Sequence, residues 1–163
     1  MEGFAFYDSP IGRIKIGATH SGIHYMEFTD DNNPIDSQEG QLDCLISAKE
    51  QLHQYFNRNL MKFDLPLNLE GTAFQKSVWR YLLNTSFGET DTYGTIAKKL
   101  VNISAARAVG AACGANPIAI VVPCHRIVSS SGDLTGYAGG LWRKKWLLEF
   151  EQSDKPGRQT SLF

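Results

Sequence analysis

The sequence predicts an α+β chain: a small N-terminal antiparallel sheet with one helix, then a mostly helical C-terminal part with a helix-turn-helix. Three observations predict it. The runs GFAFYDS, GRIKIGATH and GIHYMEF are rich in β-formers and follow one another across the turns SPIG and HSG, which suits a meander. Downstream, apolar residues recur with the 3.6-residue period of a helix. Two short helical segments then flank a tight connection within residues 94–114.

The elements read in order. After the loop DDNNP, the stretch QLDCLISAKEQLHQYF sets Leu42, Leu45, Ile46, Leu52 and Phe56 on one helical face, with Cys44 at its edge as a packing cysteine. KFDLPLNLEG is an extended, proline-bearing connection, and the domain boundary is placed within it. The predicted organisation is an N-terminal α/β domain over 1–68, a C-terminal domain over 69–152 and a frayed tail over 153–163. TAFQKSVWRYLLN is a helix with Phe74, Val78, Trp79 and Leu82 on its apolar face, and FGETDTYG is a loop. TIAKKLV, NIS and AARAVGAACG give the two short helices, the second capped by Ser104. ANPIAIVVPCHRIV reads as a loop and a buried extended run, and SSSGDLTGYAGG as a glycine-rich loop. LWRKKWLLEFE is a closing helix bearing Leu141, Trp142 and Leu148 among basic residues.

Composition narrows the function classes. Hydrophobic residues at 42% and charged residues at 20% fit a globular fold and exclude a disordered or fibrous chain. No apolar run is long enough for a membrane span, and MEGFAFYDSP does not resemble a signal peptide, so a cytoplasmic protein is expected. Three widely spaced cysteines, Cys44, Cys113 and Cys124, argue against a disulfide framework and for a reducing compartment. The net charge of −1 conceals an asymmetry. Residues 1–70 hold five Lys/Arg against eleven Asp/Glu, a net of −6; residues 71–163 hold eleven against six, a net of +5. A polyanion would meet the second half.

Chemistry concentrates at VVPCHR. A free thiol is only about 3% thiolate at neutral pH, and a neighbouring base raises that fraction. His125 follows Cys124 directly, yet neighbours in an extended chain point to opposite faces, so a turn or a bridging water is required. The histidine also needs a third group to hold its tautomer, and Asp133, Glu149 and Glu151 are all within reach. In the second short helix, Val109, Ala112 and Cys113 face inward as packing residues. Arg107, Gly110, Ala111 and Gly114 line a nearly bare outer face that a polymer backbone could approach closely.

These residues resemble a known family. FQKSVW at 74–79, YGTIA at 93–97, RAVGAA at 107–112, NPIAIVVPCHR at 116–126, GYAGG at 136–140 and LLEFE at 147–151 are similar, in order and spacing, to the O6-alkylguanine-DNA alkyltransferases. The resemblance implies a ribonuclease H-like N-terminal domain and direct repair of DNA. The alkyl group on O6 of guanine passes irreversibly to the protein's own cysteine, so each molecule acts once. It implies Cys124 as acceptor, His125 as base through a water, Glu151 as the carboxylate that orients the histidine, and Tyr93 as the hydroxyl donor to the base. Asn116 would brace the cysteine loop, Tyr137 would line the pocket, the N–H near Ala138 would serve O6, and the carbonyls of Cys124 and Ile127 would read the guanine amino group. Ala106, Arg107, Gly110 and Ala111 would meet the DNA, with Arg107 filling the gap left by a flipped base. The expected partner is double-stranded DNA containing O6-alkylguanine, bound by a monomer without cofactor or metal.

The chain departs from the family at SFGETDTYG, where Phe87 and Thr92 replace a common Pro and Ser, and at VNIS in the turn between the short helices. Thr135 narrows the pocket relative to members with glycine nearby. Two other readings compete: a binder of alkylated DNA that leaves the lesion unrepaired, which the presence of Cys124 opposes, and a cysteine hydrolase, for which the sequence offers no oxyanion-hole motif.

Overall fold

A computed structural model of the chain describes residues 3–32, 40 and 42–153; the tail expected at 153–163 lies outside these except for Ser153, as do the last two residues of the loop DDNNP. The fold is α+β, and its Cα trace divides into two compact units. One is Met1–Glu70 with Pro117–Ala119; the other is Gly71–Asn116 with Ile120–Phe163.

The first unit is built on the expected meander. Strands β1 (Gly3–Ser9), β2 (Gly12–Thr19) and β3 (Gly22–Thr29) pair antiparallel in the order β1-β2-β3, with Ala5 opposite Ile16 and Ile16 opposite Met26. Period-2 alternation puts Ile14 and Ile16 in the core together with Ala5 and Met26, the residues opposite Ile16, and a register shift between Gly17 and Ala18 goes with the burial of Ile23 in the same strand as Met26. The outer edge of β3 is covered by two short parallel bridges, Ile23–Leu67 and Met26–Ile118. Gly22 is required at the turn into β3. Its φ is +129°, and a Cβ there would lie 2.5 Å from the Pro66 carbonyl oxygen.

Helix α1 (Asp43–Phe56) supplies the rest of this core, in a different phase from the predicted stripe. Leu45, Ala48, Leu52 and Tyr55 are buried, whereas Ile46 is 54% exposed and Phe56 is half-buried against Tyr7. Ala48 and Tyr55, neither of which the hydrophobic pattern singled out, complete the i, i+3, i+7, i+10 face. Cys44 sits half-buried, its Sγ 3.9 Å from the Thr19 carbonyl.

The second unit is helical. Helix α2 (Ala73–Leu83) starts in a capping box: Thr72 Oγ1 accepts from Gln75 N–H, and Gln75 Oε1 accepts from Thr72 N–H. It buries Val78, Trp79 and Leu82, and Trp79 Nε1 donates to the Ala112 carbonyl at 2.9 Å. The stretch read as a loop at 87–94 contains a two-residue strand, β4 (Asp91–Thr92), and then opens helix α3 (Tyr93–Leu100), capped by Thr92 Oγ1. A 3₁₀ turn over Ile103–Ala105 leads to α4 (Ala106–Gly114). The cap at this junction is Asn102, whose Oδ1 accepts from Ser104 N–H at 3.0 Å; Ser104 is the capped residue, not the cap. The 3₁₀ turn thus begins at Ile103, ahead of Ser104, and α4 follows from Ala106.

The apolar run before Cys124 is buried but is not extended. Ile118, Ile120, Val121 and Val122 are all enclosed, yet the chain turns repeatedly, and Ile120 takes a φ of +71°. A β-branched residue in that region is strained and has to be held by its surroundings. The run ends in a 3₁₀ turn over Cys124–Arg126 and passes into β5 (Ile127–Val128), which pairs in parallel with β4. Helix α5 (Leu141–Gln152) closes the unit. Its buried stripe is Lys144, Leu147, Leu148 and Glu151; Leu141 and Trp142 are 50% and 57% exposed.

Candidate active site

The two-residue β4–β5 ladder organises the site. Asp91 pairs with Ile127 and Thr92 with Val128, which sets Tyr93, at the head of α3, beside the segment that follows Cys124. The 3₁₀ turn replaces the extended geometry that would have pointed Cys124 and His125 to opposite faces. Its closing bond runs from the Ile127 N–H to the Cys124 carbonyl and leaves that carbonyl one lone pair.

Cys124 is buried at the wall of a cavity of about 700 Å³ in the second unit. Tyr93, Ala106, Arg107 and Gly110 line it from the helix-turn-helix, Tyr137 and Ala138 from the glycine-rich loop. Cys113, expected only to pack, is buried and also lines this cavity. Of the other expected site residues, Asn116 is on the thiol: its Nδ2 donates to Cys124 Sγ at 3.2 Å and to the Val122 carbonyl at 2.7 Å. Ile127 is fully buried in β5, and Ala111 is exposed on α4; neither lines the cavity.

Behind the thiol lies a buried polar cluster. His125 Nε2 is 2.8 Å from Glu151 Oε2, both side chains fully enclosed. Arg126 grips the same carboxylate in fork geometry, Nε to Oε1 at 2.8 Å and Nη2 to Oε2 at 3.0 Å, and its Nη1 donates to the Thr85 carbonyl. The Gly88 N–H adds a longer bond to Oε1. The structure thus places Glu151 on His125. Asp133 closes a turn of its own loop with Ser129 and Ser131, and Glu149 lies 4.0 Å from Lys145.

The electrostatics follow from burial and partners. Burial alone would raise the Glu151 carboxyl, but His125 and Arg126 outweigh it and hold the group well below the usual carboxylate range. Burial lowers the His125 pKa despite Glu151, so the ring is neutral at neutral pH. With Nε2–H given to Glu151, Nδ1 is the basic nitrogen, and it has no protein partner among the described residues. Burial pushes the Cys124 thiol up, opposed by the Asn116 bond and the Lys144 charge. Burial likewise raises Tyr93 and Tyr137, so both keep their hydroxyl protons.

Lys144 is the feature that the sequence reading missed. It is fully buried and no carboxylate pairs with it among the described residues. Its Nζ donates to the Thr135 carbonyl at 2.8 Å, to Gly136 at 3.4 Å and to Tyr93 Oη at 3.3 Å, tying the glycine-rich loop to the start of α3. Thr135 Oγ1 also reaches Tyr93 Oη, at 3.2 Å. The signal was present: Lys144, Leu147, Leu148 and Glu151 follow i, i+3, i+4, i+7. Arg126 was also missed, although an arginine next to a continuous apolar run demands a buried partner.

Known proteins share both the sequence and the fold of this chain. The ribonuclease-like domain of 6-O-methylguanine DNA methyltransferase matches residues 4–69, and the DNA-binding domain of the same family matches residues 73–153. The chain belongs to the 6-O-methylguanine DNA methyltransferase family. Among its relatives in that family, the methylated-DNA–protein-cysteine methyltransferase of Methanosarcina acetivorans is 46% identical over 153 residues, spanning 92% of this chain and 98% of the relative. The protein of that name from Mycobacterium tuberculosis is 43% identical over 155 residues, 94% of each chain. A crystal structure of the Mycobacterium tuberculosis O6-methylguanine methyltransferase superposes with a TM-score of 0.84 at 42% identity over 97% of both chains. A structure of Mycobacterium tuberculosis OGT in complex with DNA gives 0.82 at 42% identity, covering 94% of this chain and 95% of that one. Placed in the methyltransferase family, the cavity between the helix-turn-helix and the glycine-rich loop lies wholly within the matched DNA-binding domain.

Proposed function

We infer that the chain repairs DNA by moving an alkyl group from O6 of guanine onto Cys124, once per molecule and irreversibly. The observation that carries this reading is the buried Cys124 thiol at the wall of an open cavity, backed by the enclosed His125–Glu151–Arg126 cluster. An alkyl carbon on O6 is a weak electrophile and calls for a soft, strong nucleophile. The Cys124 proton passes through a water to His125 Nδ1, and Glu151 stabilises the imidazolium. The thiolate attacks the alkyl carbon, the carbon–O6 bond breaks, and its electron pair leaves with guanine. Tyr93, still protonated, donates a hydrogen bond to the departing base, and the Ala138 N–H serves O6. The carbonyls of Cys124 and Ile127 read the guanine amino group, and Asn116 holds the cysteine loop.

DNA is the partner. The specific ligand is duplex containing O6-alkylguanine, whose target oxygen lies inside the stack, so the base must be flipped at a few kcal/mol. Arg107, exposed on α4, fills the gap, and the Gly110–Ala111 face lets the backbone come near. We place the protein in the cytoplasm as a monomer: its three cysteines are all free, and among the described residues no helix is long and apolar enough to cross a membrane. No cofactor or metal enters the scheme.

Intact-protein mass spectrometry after incubation with an O6-methylguanine oligonucleotide tests it. One methyl group appears on Cys124 and is absent in Cys124→Ala. A folded, DNA-binding protein that returns the lesion unchanged would instead be a binder.

A further inference from the structure

Two of the three tryptophans are built into the fold. Trp79 is enclosed and bonded through Nε1 to Ala112, and Trp146 stacks on Phe150 with ring centres 4.9 Å apart. Trp142 differs: its side chain is 57% exposed, beside Leu141 at 50%, at the start of α5. A scattered exposed apolar residue is ordinary, but this one is held in place. The Arg143 guanidinium lies 4.5 Å over the indole, and Arg143 Nη1 donates to the Gly139 carbonyl at 2.9 Å, which ties the pair to the glycine-rich loop. Gly140 leaves the indole its room: its φ is +93°, and a Cβ there would stand 3.4 Å from Trp142 Cδ1 and 3.5 Å from Nε1.

The location is as telling as the ring. Ala138 lines the cavity that holds Cys124, and Gly140 follows it by two residues. At most about 7.6 Å of backbone therefore separates the cavity wall from the glycine against which the indole rests. That span is comparable to one step of an extended nucleic-acid strand. The rim is also cationic, with Arg143 and the half-exposed Lys145 on the same turn, in the half of the chain that carries a net charge of +5.

We propose that Trp142, backed by Arg143, is a second nucleotide subsite, which stacks the unpaired base next to an O6-alkylguanine seated in the cavity. The proposal rests on the reading of that cavity as the seat of the alkylated base. The ligand class is single-stranded DNA. In a duplex each base is covered on both faces by its neighbours and offers the indole nothing to stack on. In a single strand the neighbour of the lesion is free to turn onto the ring. Every base has such a face, so the subsite is indifferent to sequence. Arg143 covers one face of the indole and leaves the other to the base, and its charge faces the phosphate that joins the two nucleotides.

The test measures binding by fluorescence anisotropy in a Cys124→Ala background, which holds the lesion without reacting. The probes are a single strand containing O6-methylguanine, the same strand with an abasic residue on one or the other side of the lesion, and the matching duplex. Adding Trp142→Ala should weaken the single strand about tenfold and the duplex less than about twofold. Trp142→Phe, which keeps a ring, should recover most of the loss. An abasic residue on one side only should cost the intact indole the same factor and cost Trp142→Ala nothing further, because ring and base are two halves of one contact. Equal weakening of strand and duplex, or an abasic loss that adds in full to that of Trp142→Ala, would overturn the subsite while leaving the cavity reading in place. Methyl transfer from the same duplex to otherwise unaltered protein runs in parallel; its absence would overturn the cavity reading and the subsite with it.

Discussion

Replacing Glu151 with Gln keeps the shape of the buried cluster and removes its only negative charge. Two effects separate. The Arg126 guanidinium, 5% exposed, loses the carboxylate it holds at 2.8 and 3.0 Å. Breaking a buried ion pair from one side costs about 3–5 kcal/mol. His125 loses the group 2.8 Å from its Nε2 that stabilises the imidazolium, and general-base assistance of this kind is worth about 10²–10⁴ in rate. Glu151→Gln should therefore unfold at lower denaturant and transfer methyl at least about a hundredfold more slowly, with duplex binding largely intact. The double variant Glu151→Gln, Arg126→Met separates the two, because replacing both buried charges is often neutral for stability. Its unfolding midpoint should return toward wild type while the single-turnover methyl transfer rate stays low. Recovery of the rate along with stability would show that the carboxylate serves only to hold Arg126, and the relay through His125 would fail.

Three further outcomes are expected. Lys144→Met removes the cation that favours the Cys124 thiolate, so the pH–rate profile should shift to higher pH, each unit slowing transfer about tenfold at neutral pH; Lys144→Arg should restore part of it, and an unshifted profile would count against the charge. Arg107→Ala should slow repair in duplex more than transfer from free O6-methylguanine; equal losses on both substrates would argue against a role in base flipping. Stability should fall in acid. Glu151 is depressed below its unfolded value, so its contribution is full above about pH 4.3 and is lost as pH falls; His125, neutral in the fold, adds a loss that starts below about pH 6.5. Denaturant melts from pH 7 to 4 measure the His125 loss, and melts continued below pH 4 measure that of Glu151; a profile flat in either range would mean that the corresponding shift does not exist.

The fold was legible where local rules decide it. The meander follows from alternation and turn residues, and α2 from its cap and periodicity. What was not legible depended on partners distant in sequence. Alternation cannot reveal a two-residue ladder such as β4–β5, which exists because Asp91 and Ile127 are brought together by everything between them. An apolar run such as IAIVV signals burial without signalling conformation, so the turn forced through Ile120 was read as a strand. In α1 the stripe took in Ile46 and Phe56 and passed over Ala48 and Tyr55, which rotated it away from the buried face. At the site, adjacency of Cys124 and His125 was visible, but the 3₁₀ turn that re-aims them was not. Lys144 went unremarked among the basic residues of the last helix because a lysine is rarely enclosed without a carboxylate.

That lysine and the thiol explain each other. A protein used once has to keep its nucleophile from reacting with anything but its substrate. Burial does this: it raises the Cys124 pKa, so the thiolate is scarcer than the roughly 3% of a free cysteine at neutral pH. The same burial would make the thiolate inaccessible to chemistry if nothing offset it. The offset is spread over three weak sources: the Asn116 amide on the sulfur, a neutral His125 whose Nδ1 stands unpaired, and the enclosed Lys144 ammonium, whose own pKa burial lowers and the two cysteines raise. None of the three makes a contact ion pair with the thiol. Asn116 and Lys144 stabilise negative charge in the pocket and His125 Nδ1 offers a place for the proton, without fixing that proton on or off the sulfur in advance. The thiolate thus becomes favourable when substrate excludes water from the cavity and strengthens those interactions. Reactivity is then a property of the filled pocket, and removing any one source should weaken transfer without making the resting thiol more reactive toward small oxidants.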